Sequence, residues 1–332
     1  MQRAGFERTP IKQSARALQA HLPRPADSRP RPSNHGFAMP IKIAIASGKG
    51  GTGKTTVATN LVRMAAQRGY QAAYIDCDVE APNGHLFLRP EITQREVVRV
   101  PVPAVDEKRC DHCGECARFC QYHALLCLPE QTLLFPELCH GCGGCRLLCP
   151  KDAIQETTRD IGYCQSGRAD QADFISGCLN IGEAKSPPLI RAVKSRMPTT
   201  GMAFIDSPPG TSCPVVESLR DCNFVVLVTE PTPFGLHDLG LAFDMVRLLD
   251  IPCGVVINRA SDNDRETLAW CETRQLPILA SLPDDRKAAE AYSRGKLIAD
   301  AVSGFAQPFA ELLDTLLSLP QVACHTVSGE RP

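Results

Sequence analysis

Gly48-Lys49-Gly50-Gly51-Thr52-Gly53-Lys54-Thr55-Thr56 follows directly on the apolar run Ile41-Lys42-Ile43-Ala44-Ile45-Ala46 and the single residue Ser47. From Gly48 to Thr55 it fits G-x-x-x-x-G-K-[ST] position by position. Glycines at 48, 50, 51 and 53 let backbone N–H groups curl around phosphates. Lys54 can reach the β and γ oxygens, and Thr55 can offer its hydroxyl to Mg²⁺. The next residues, Thr55 to Gln67, carry Val57, Leu61, Met64 and Ala65 at helical spacing and end at Gly69. Bound phosphates would therefore also meet a helix N-terminus. Ala72 to Ile75 reads as a second strand that delivers Asp76-Cys77-Asp78 at its carboxyl end. Strand, loop, helix, strand is the βαβ unit of a parallel sheet.

The same grammar returns further on. Gly201 to Asp206, Phe224 to Val228, Cys253 to Ile257 and Leu276 to Ser281 read as strands, Leu236 to Leu249 as a helix, and Leu297 to Leu317 as one closing helix. Asp76 and Asp78, at i and i+2, share a strand face. Beside a magnesium nucleotide one can hold metal-bound water and the other can orient the attacking water. Asp206 opens Asp206-Ser207-Pro208-Pro209-Gly210-Thr211, where the acid can bind Mg²⁺ through water and the Gly210 N–H can face the γ-phosphate. Cys213, just beyond, reads as a small buried residue more readily than as a metal or partner contact.

Between the second strand and the Asp206 strand lie Cys110, Cys113, Cys116, Cys120 and then Cys139, Cys142, Cys145, Cys149-Pro150. Both runs follow C-x₂-C-x₂-C-x₃-C, the spacing of ferredoxins that carry two [4Fe–4S] clusters, in which the fourth cysteine of each run serves the other cluster. One set is then Cys110, Cys113, Cys116 and Cys149, and the other Cys139, Cys142, Cys145 and Cys120. Structural zinc is the alternative, although zinc ligands usually come as two pairs with a longer spacer. Gln121 stands where a proline is usual after the first run.

The chain has 332 residues, 17 of them cysteine, and a formal net charge of -1. That balance gives no global field for nucleic acid, and no 18-residue apolar stretch is present to span a bilayer. Eight cysteines in tight local repeats point to a reducing, cytoplasmic setting rather than to a secreted disulfide scaffold. Residues 1 to 38 hold seven basic and two acidic residues with five prolines, so they read as a disordered arm, with Met39 a candidate true start. The expected organisation is an α/β, mostly parallel-sheet P-loop NTPase domain at 39–103 and 159–319, an inserted bacterial-type ferredoxin domain at 104–158, and a flexible tail at 320–332.

Lys49-Gly50-Gly51-Thr52-Gly53-Lys54-Thr55 resembles the loop of the deviant Walker A ATPases, which include MinD, the ParA partition proteins, the nitrogenase iron protein and the Mrp/ApbC cluster carriers. The resemblance implies a homodimer with ATP at its interface, in which Lys49 reaches the partner's phosphates. It also implies that Asp78 positions water, that Asp76 lies in the magnesium's outer shell, that Asp206 to Thr211 forms a switch, and that Asn258 and the loop beginning at Pro283 contact adenine. With the cysteine runs, the chain is similar to one branch of that superfamily, which carries an inserted ferredoxin domain. There the following segment reads like Gly177-Cys178-Leu179-Asn180-Ile181-Gly182-Glu183-Ala184 before Ser186-Pro187-Pro188. The leading expectation is an ATP-binding, ATP-hydrolysing protein that gates electron transfer through its clusters to a redox protein or metalloenzyme. Iron–sulfur or metallocofactor assembly is the alternative, and a MinD- or ParA-like spatial regulator comes third. The cysteine segment, with five basic and eight acidic residues over 104–158, suits a basic docking face on the partner.

Overall fold

Six of the strands are apolar enough to be buried on both faces, and they gather at the centre of one sheet. The computed structural model describes residues 40–261 and 264–323; the expected arm at 1–38 and residues 324–332 lie outside the described residues. In chain order the elements are β1 (Ile41–Ala46), α1 (Lys54–Gln67), β2 (Ala72–Asp76), α2 (Gly84–Leu88), β3 (Glu91–Val105), α3 (Glu115–Phe119), β4 (Leu125–Cys127), β5 (Thr132–Leu134), α4 (Gly144–Leu147), β6 (Ile154–Ala169) and β7 (Ala172–Leu179). They continue with α5 (Pro187–Lys194), β8 (Met202–Asp206), α6 (Cys213–Leu219), β9 (Phe224–Thr229), α7 (Pro233–Leu248), β10 (Cys253–Ala260), α8 (Arg265–Thr273), β11 (Ile278–Pro283), α9 (Arg286–Ser293), α10 (Ile298–Ala301), α11 (Ala306–Ser318) and α12 (Pro320–Ala323).

The nine-stranded sheet runs β11-β10-β9-β1-β8-β2-β7-β6-β3. From β11 to β7 every neighbouring pair is parallel, and β7–β6 and β6–β3 are antiparallel. The sheet is thus mostly parallel, as expected, but mixed, with an antiparallel edge. The antiparallel edge is made mostly by residues 91–103 and 159–179, which the expected boundaries place in the ATPase domain but for which the sequence suggested no strands. β3 and β6 form a ribbon paired from Glu91↔Arg168 to Val105↔Ile154, with register shifts between Ile92 and Gln94 and between Val98 and Arg99. Its strands cross the expected boundaries at 104 and 158, so the cysteine segment rises from the end of the ribbon and belongs to the same compact unit as the sheet. The single closing helix expected over 297–317 is two helices, because Gly304 takes a left-handed φ of 92° between α10 and α11. α12 adds a turn in which Val322 is fully buried.

Helices cover both faces. α1 and α11 pack through Leu61, Phe309, Leu312, Leu313 and Leu316 on one side. α5, α6 and α7 pack through Leu189, Val193, Val215, Leu219 and Val246 on the other. Among the described residues no helix is long and apolar enough to cross a membrane. α5 is the helix that fastens the ribbon to the sheet. Its Leu189 is 0% exposed and lies against Gly162 of β6 and Gly177 of β7, where any Cβ would press on it.

Leu189→Ala should therefore cost ~2–5 kcal/mol of unfolding free energy, since the rigid sheet cannot close over the gap. Urea unfolding followed by circular dichroism measures this. A loss below ~1 kcal/mol would show that α5 does not anchor the ribbon.

Candidate functional site: a phosphate loop beside three carboxylates

Parallel strands put their carboxyl ends on one edge, and β1, β8 and β2 are adjacent there. Ile45 is in register with Asp206, and Asp206 with Asp76, so two carboxylates stand side by side at the mouth of the loop that leaves β1. The loop is pinned at three residues. Gly48 packs where the Asp238 backbone of α7 leaves no room for a Cβ. Asn258, at the end of β10, donates from Nδ2 to the Thr52 carbonyl at 2.8 Å. Gly53, with φ 101°, fits under that same amide group. Asn258, expected as an adenine contact, also braces the phosphate loop. Pro283 ends β11, opposite Ala260 of β10.

The charged groups are tightly held. Lys54, 7% exposed, donates from Nζ to Ser47 Oγ at 3.0 Å. Burial lowers its pKa, while Asp206 and Asp78 pull the other way. Asp76 is fully buried and accepts the Asp78 N–H and the Gly84 N–H, each at 3.2 Å. Burial, then the charge of Asp206, hold Asp76 well above the usual carboxylate range. Asp206 accepts the Tyr74 hydroxyl on Oδ2 at 2.8 Å. Burial raises its pKa as well, and the Thr55 and Tyr74 hydroxyls and Lys54 oppose this. Asp78 is only partly buried and is pushed up to about 6 by burial and then by Asp206. Asp206 Oδ1, Thr52 Oγ1 and Ser207 Oγ are buried without a hydrogen-bond partner. Orphaned oxygens in such a place, next to Thr55, suit a hydrated cation on a phosphate, the use expected of Asp206 and Thr55. The Gly210 N–H donates to the Ser47 carbonyl at 3.0 Å, so in this arrangement it braces the loop.

Lys49 sits at the loop's rim. Its ammonium is 3.6 Å from Glu230 at the end of β9, and Glu230 also accepts Arg259 Nη1 at 2.5 Å. Glu230 was not legible as a site residue, because its partners come from two other strand ends. Thr56 is buried in the first turn of α1, and Cys213 is exposed at the start of α6.

The two cysteine runs fold alike. Left-handed residues recur at matching positions: His112 and Gly141, Gly114 and Gly143, His123 and Asp152. In each run the third cysteine lies on a short helix. The fourth accepts an N–H four residues on, Ala124 to Cys120 Sγ at 3.4 Å and Ala153 to Cys149 Sγ at 3.2 Å. Cys120, Cys139, Cys142 and Cys145 line one cavity of about 120 Å³, together with Tyr122, His140 and Pro101. Burial pushes the Cys145 thiol to about 11, and the thiols of Cys139, Cys142 and Cys116 add to this. Among the described residues no three Cys, His, Asp or Glu side chains form a ready-made metal-binding group. A ninth cysteine of this segment, Cys127, stands beside the first run, its Sγ 3.2 Å from the His112 carbonyl; it lies outside both repeats, so spacing could not single it out.

Fold and loop together define a P-loop ATPase of the MinD/ParA/Mrp-like superfamily. Residues 43–298 match the CobQ/CobB/MinD/ParA nucleotide binding domain, and the chain belongs to that family. It is 30% identical to an uncharacterized protein of Methanocaldococcus jannaschii, over 76% of this chain and 90% of the other. It is 25% identical to an iron-sulfur cluster carrier protein of Pyrococcus abyssi, over 83% of this chain and 85% of the other. Among solved structures it is similar in fold to the septum site-determining protein MinD of Pyrococcus horikoshii complexed with Mg-ADP. There the TM-score is 0.53 at 20% identity, over 83% of this chain and 95% of the other.

Asp78 generates a pH prediction. Its folded pKa of about 6 lies above the ordinary 3.8, so the folded chain binds this proton more tightly than the unfolded one. The contribution of Asp78 to stability therefore falls as pH rises from about 4 to about 6. In EDTA, Asp78→Asn should melt a few degrees higher than the native chain at about pH 8, and the gap should close by about pH 4. A gap that widens on acidification would contradict the assignment.

Proposed function

We propose that this chain is an ATP-hydrolysing iron–sulfur protein of the metallocofactor-assembly type, working as a homodimer with ATP at its interface. The observation that carries the reading is the twice-folded eight-cysteine segment mounted on the same sheet as the phosphate loop. In it, four thiols assigned to one set by the crossover spacing line a single cavity. That cavity, the N–H groups aimed at Cys120 and Cys149, and the left-handed glycines fit the demands of a [4Fe–4S] cluster. Such clusters would supply transferable iron and sulfide, or one-electron redox capacity. Cys110, Cys113, Cys116 and Cys149 would hold one, and Cys139, Cys142, Cys145 and Cys120 the other. Several relatives at 24–25% identity are named as iron-sulfur cluster carriers, which favours assembly over electron transfer.

At the nucleotide, Gly48 to Gly53 would cradle the phosphates and Lys54 neutralise the β and γ oxygens. Thr55 would contact Mg²⁺, with Asp206 and Asp76 ordering its water. Asp78 would orient the attacking water. Gly210 would exchange its bond to Ser47 for one to the γ-phosphate, and the loops at Asn258 and Pro283 would flank adenine. Lys49 would leave Glu230 to meet the partner's phosphates, a cation supplied where charge develops.

A second reading keeps the clusters permanent and makes ATP a gate for electron transfer to a redox protein. The ferredoxin spacing of both runs favours it. The two readings separate in one experiment. Anaerobically purified chain should hold about eight irons, and Cys149→Ala should spoil mainly the set begun by Cys110. Mixed with an iron-free ferredoxin acceptor, it should give up iron and sulfide at a rate that depends on Mg–ATP. Full retention of iron, with nucleotide-dependent electron transfer from the dithionite-reduced chain to an intact, cluster-bearing ferredoxin offered in place of the iron-free one, would replace the first reading by the second. Stoichiometric zinc with no broad visible absorption would end both.

Lys49 tests the dimer. Lys54→Ala should weaken Mg–ATP binding itself, whereas Lys49→Ala should spare binding and lower turnover by roughly 10²-fold or more. In mixed dimers the silent site should be the one facing the altered subunit. Full turnover by strictly monomeric chain would remove Lys49 from this role.

A further inference from the structure

The segment from Leu179 to Ser186 takes no part in the phosphate loop or in thiol ligation, yet it is bonded both to the residues that follow Asp78 and to the backbone at the start of the second cysteine run. On the nucleotide side, the Leu179 N–H donates to the Val79 carbonyl at 2.9 Å, and Ser186 Oγ donates to the Glu80 carboxylate at 3.0 Å. Val79 and Glu80 directly follow Asp78. On the cysteine side, Lys185 Nζ donates to the Cys139 carbonyl at 2.5 Å. Glu183 takes both terminal nitrogens of Arg159, whose Nε donates to the Pro136 carbonyl at 3.0 Å. Glu183 also accepts the Lys185 N–H at 3.2 Å, which joins the two contacts into one network. Pro136 to Cys139 is the turn that opens the second run, closed by the Cys139 N–H on the Pro136 carbonyl at 3.2 Å.

The C-terminal end of this network is anchored. Ser186 is 1% exposed, and Pro187 and Pro188 follow at the start of α5. α5 is in turn locked into the core by Leu189, Ile190 and Val193, all 0% exposed. A segment bonded at both ends and anchored at one can pass a displacement from one contact to the other.

We propose that Leu179–Ser186 is the mechanical link between nucleotide state and the second cysteine run. Lys185 is its positioning residue on the Cys139 side and Ser186 on the Glu80 side. A shift of Asp78-Val79-Glu80 when the γ-phosphate is gained or lost is passed to the carbonyls of Pro136 and Cys139. It thereby changes how firmly Cys139, Cys142, Cys145 and Cys120 hold their group. The proposal rests on the iron–sulfur reading for its purpose, though not for its geometry.

The experiment is amide hydrogen exchange over residues 136–145 of the full chain, with Mg–ADP against a non-hydrolysable Mg–ATP analogue. In the native chain exchange should differ by roughly tenfold between the two, the scale set by one charge-assisted hydrogen bond. Lys185→Met and Ser186→Ala should erase the difference while still binding nucleotide, and Lys185→Arg should restore it. In cluster-loaded chain, the rate at which a ferrous chelator strips about half the iron should follow the same pattern. A difference that survives in both Lys185→Met and Ser186→Ala, or no difference in the native chain, would overturn the link. Chain that binds no iron would instead defeat the iron–sulfur reading. The exchange measurement would still decide the link.

Discussion

Asp76 and Asp206 stand next to each other at the ends of β2 and β8, in a place where water scarcely reaches. Two carboxylates so placed repel one another and resent their burial. The surroundings are arranged to make them tolerable: the Tyr74 hydroxyl on Asp206, the Gly84 and Asp78 amides on Asp76, and the Lys54 ammonium beyond. Each of these groups comes from a different element. They converge only because β1, β8 and β2 run the same way and end on the same edge. The parallel order of the sheet is therefore a condition of the site, and the site's unspent negative charge is a demand for a cation bound to phosphate.

That demand explains why the nucleotide half was so readable in the sequence. A phosphate loop needs glycines, a lysine and a hydroxyl at fixed spacing, and these are local properties of one short stretch. The acids at 76, 78 and 206 were readable for a similar reason, since each closes an apolar run. β3 and β6 were not. Most β3 side chains are exposed, its prolines at 101 and 103 argue against a strand, and only the short stretch Val98, Val100, Val102 alternates toward a buried face. Their pairing is a tertiary fact that no local pattern records. The same holds for the contacts around the site. Lys185 meets Cys139 across 46 positions of sequence, and Ser186 meets Glu80 across 106. Asn258 lies 206 positions from Thr52, whose carbonyl it bonds.

The cysteine segment shows what spacing can and cannot convey. The repeat of the runs was plain from the sequence, and the matching left-handed residues give that repeat a three-dimensional form. The arm on which it sits was invisible. So was the pairing of Arg159 with Glu183, which holds the opening turn of the second run to the body of the chain. Local chemistry announces ligands. It does not announce the struts that place them.

Glu91 and Arg168, the first residue of β3 and a near-terminal residue of β6, are register partners. The whole excursion thus leaves the sheet and returns to it at one point. A chain whose ends already lie together adds almost no closure entropy to its host, however long it is. The ribbon lies along β7, where the parallel strands would otherwise stop, and ends in β3, whose register shifts, charged residues and prolines discourage further pairing. An ATPase sheet could therefore have gained or lost its cysteine-bearing arm as a single piece, with the sites at β1, β2 and β8 undisturbed by the exchange.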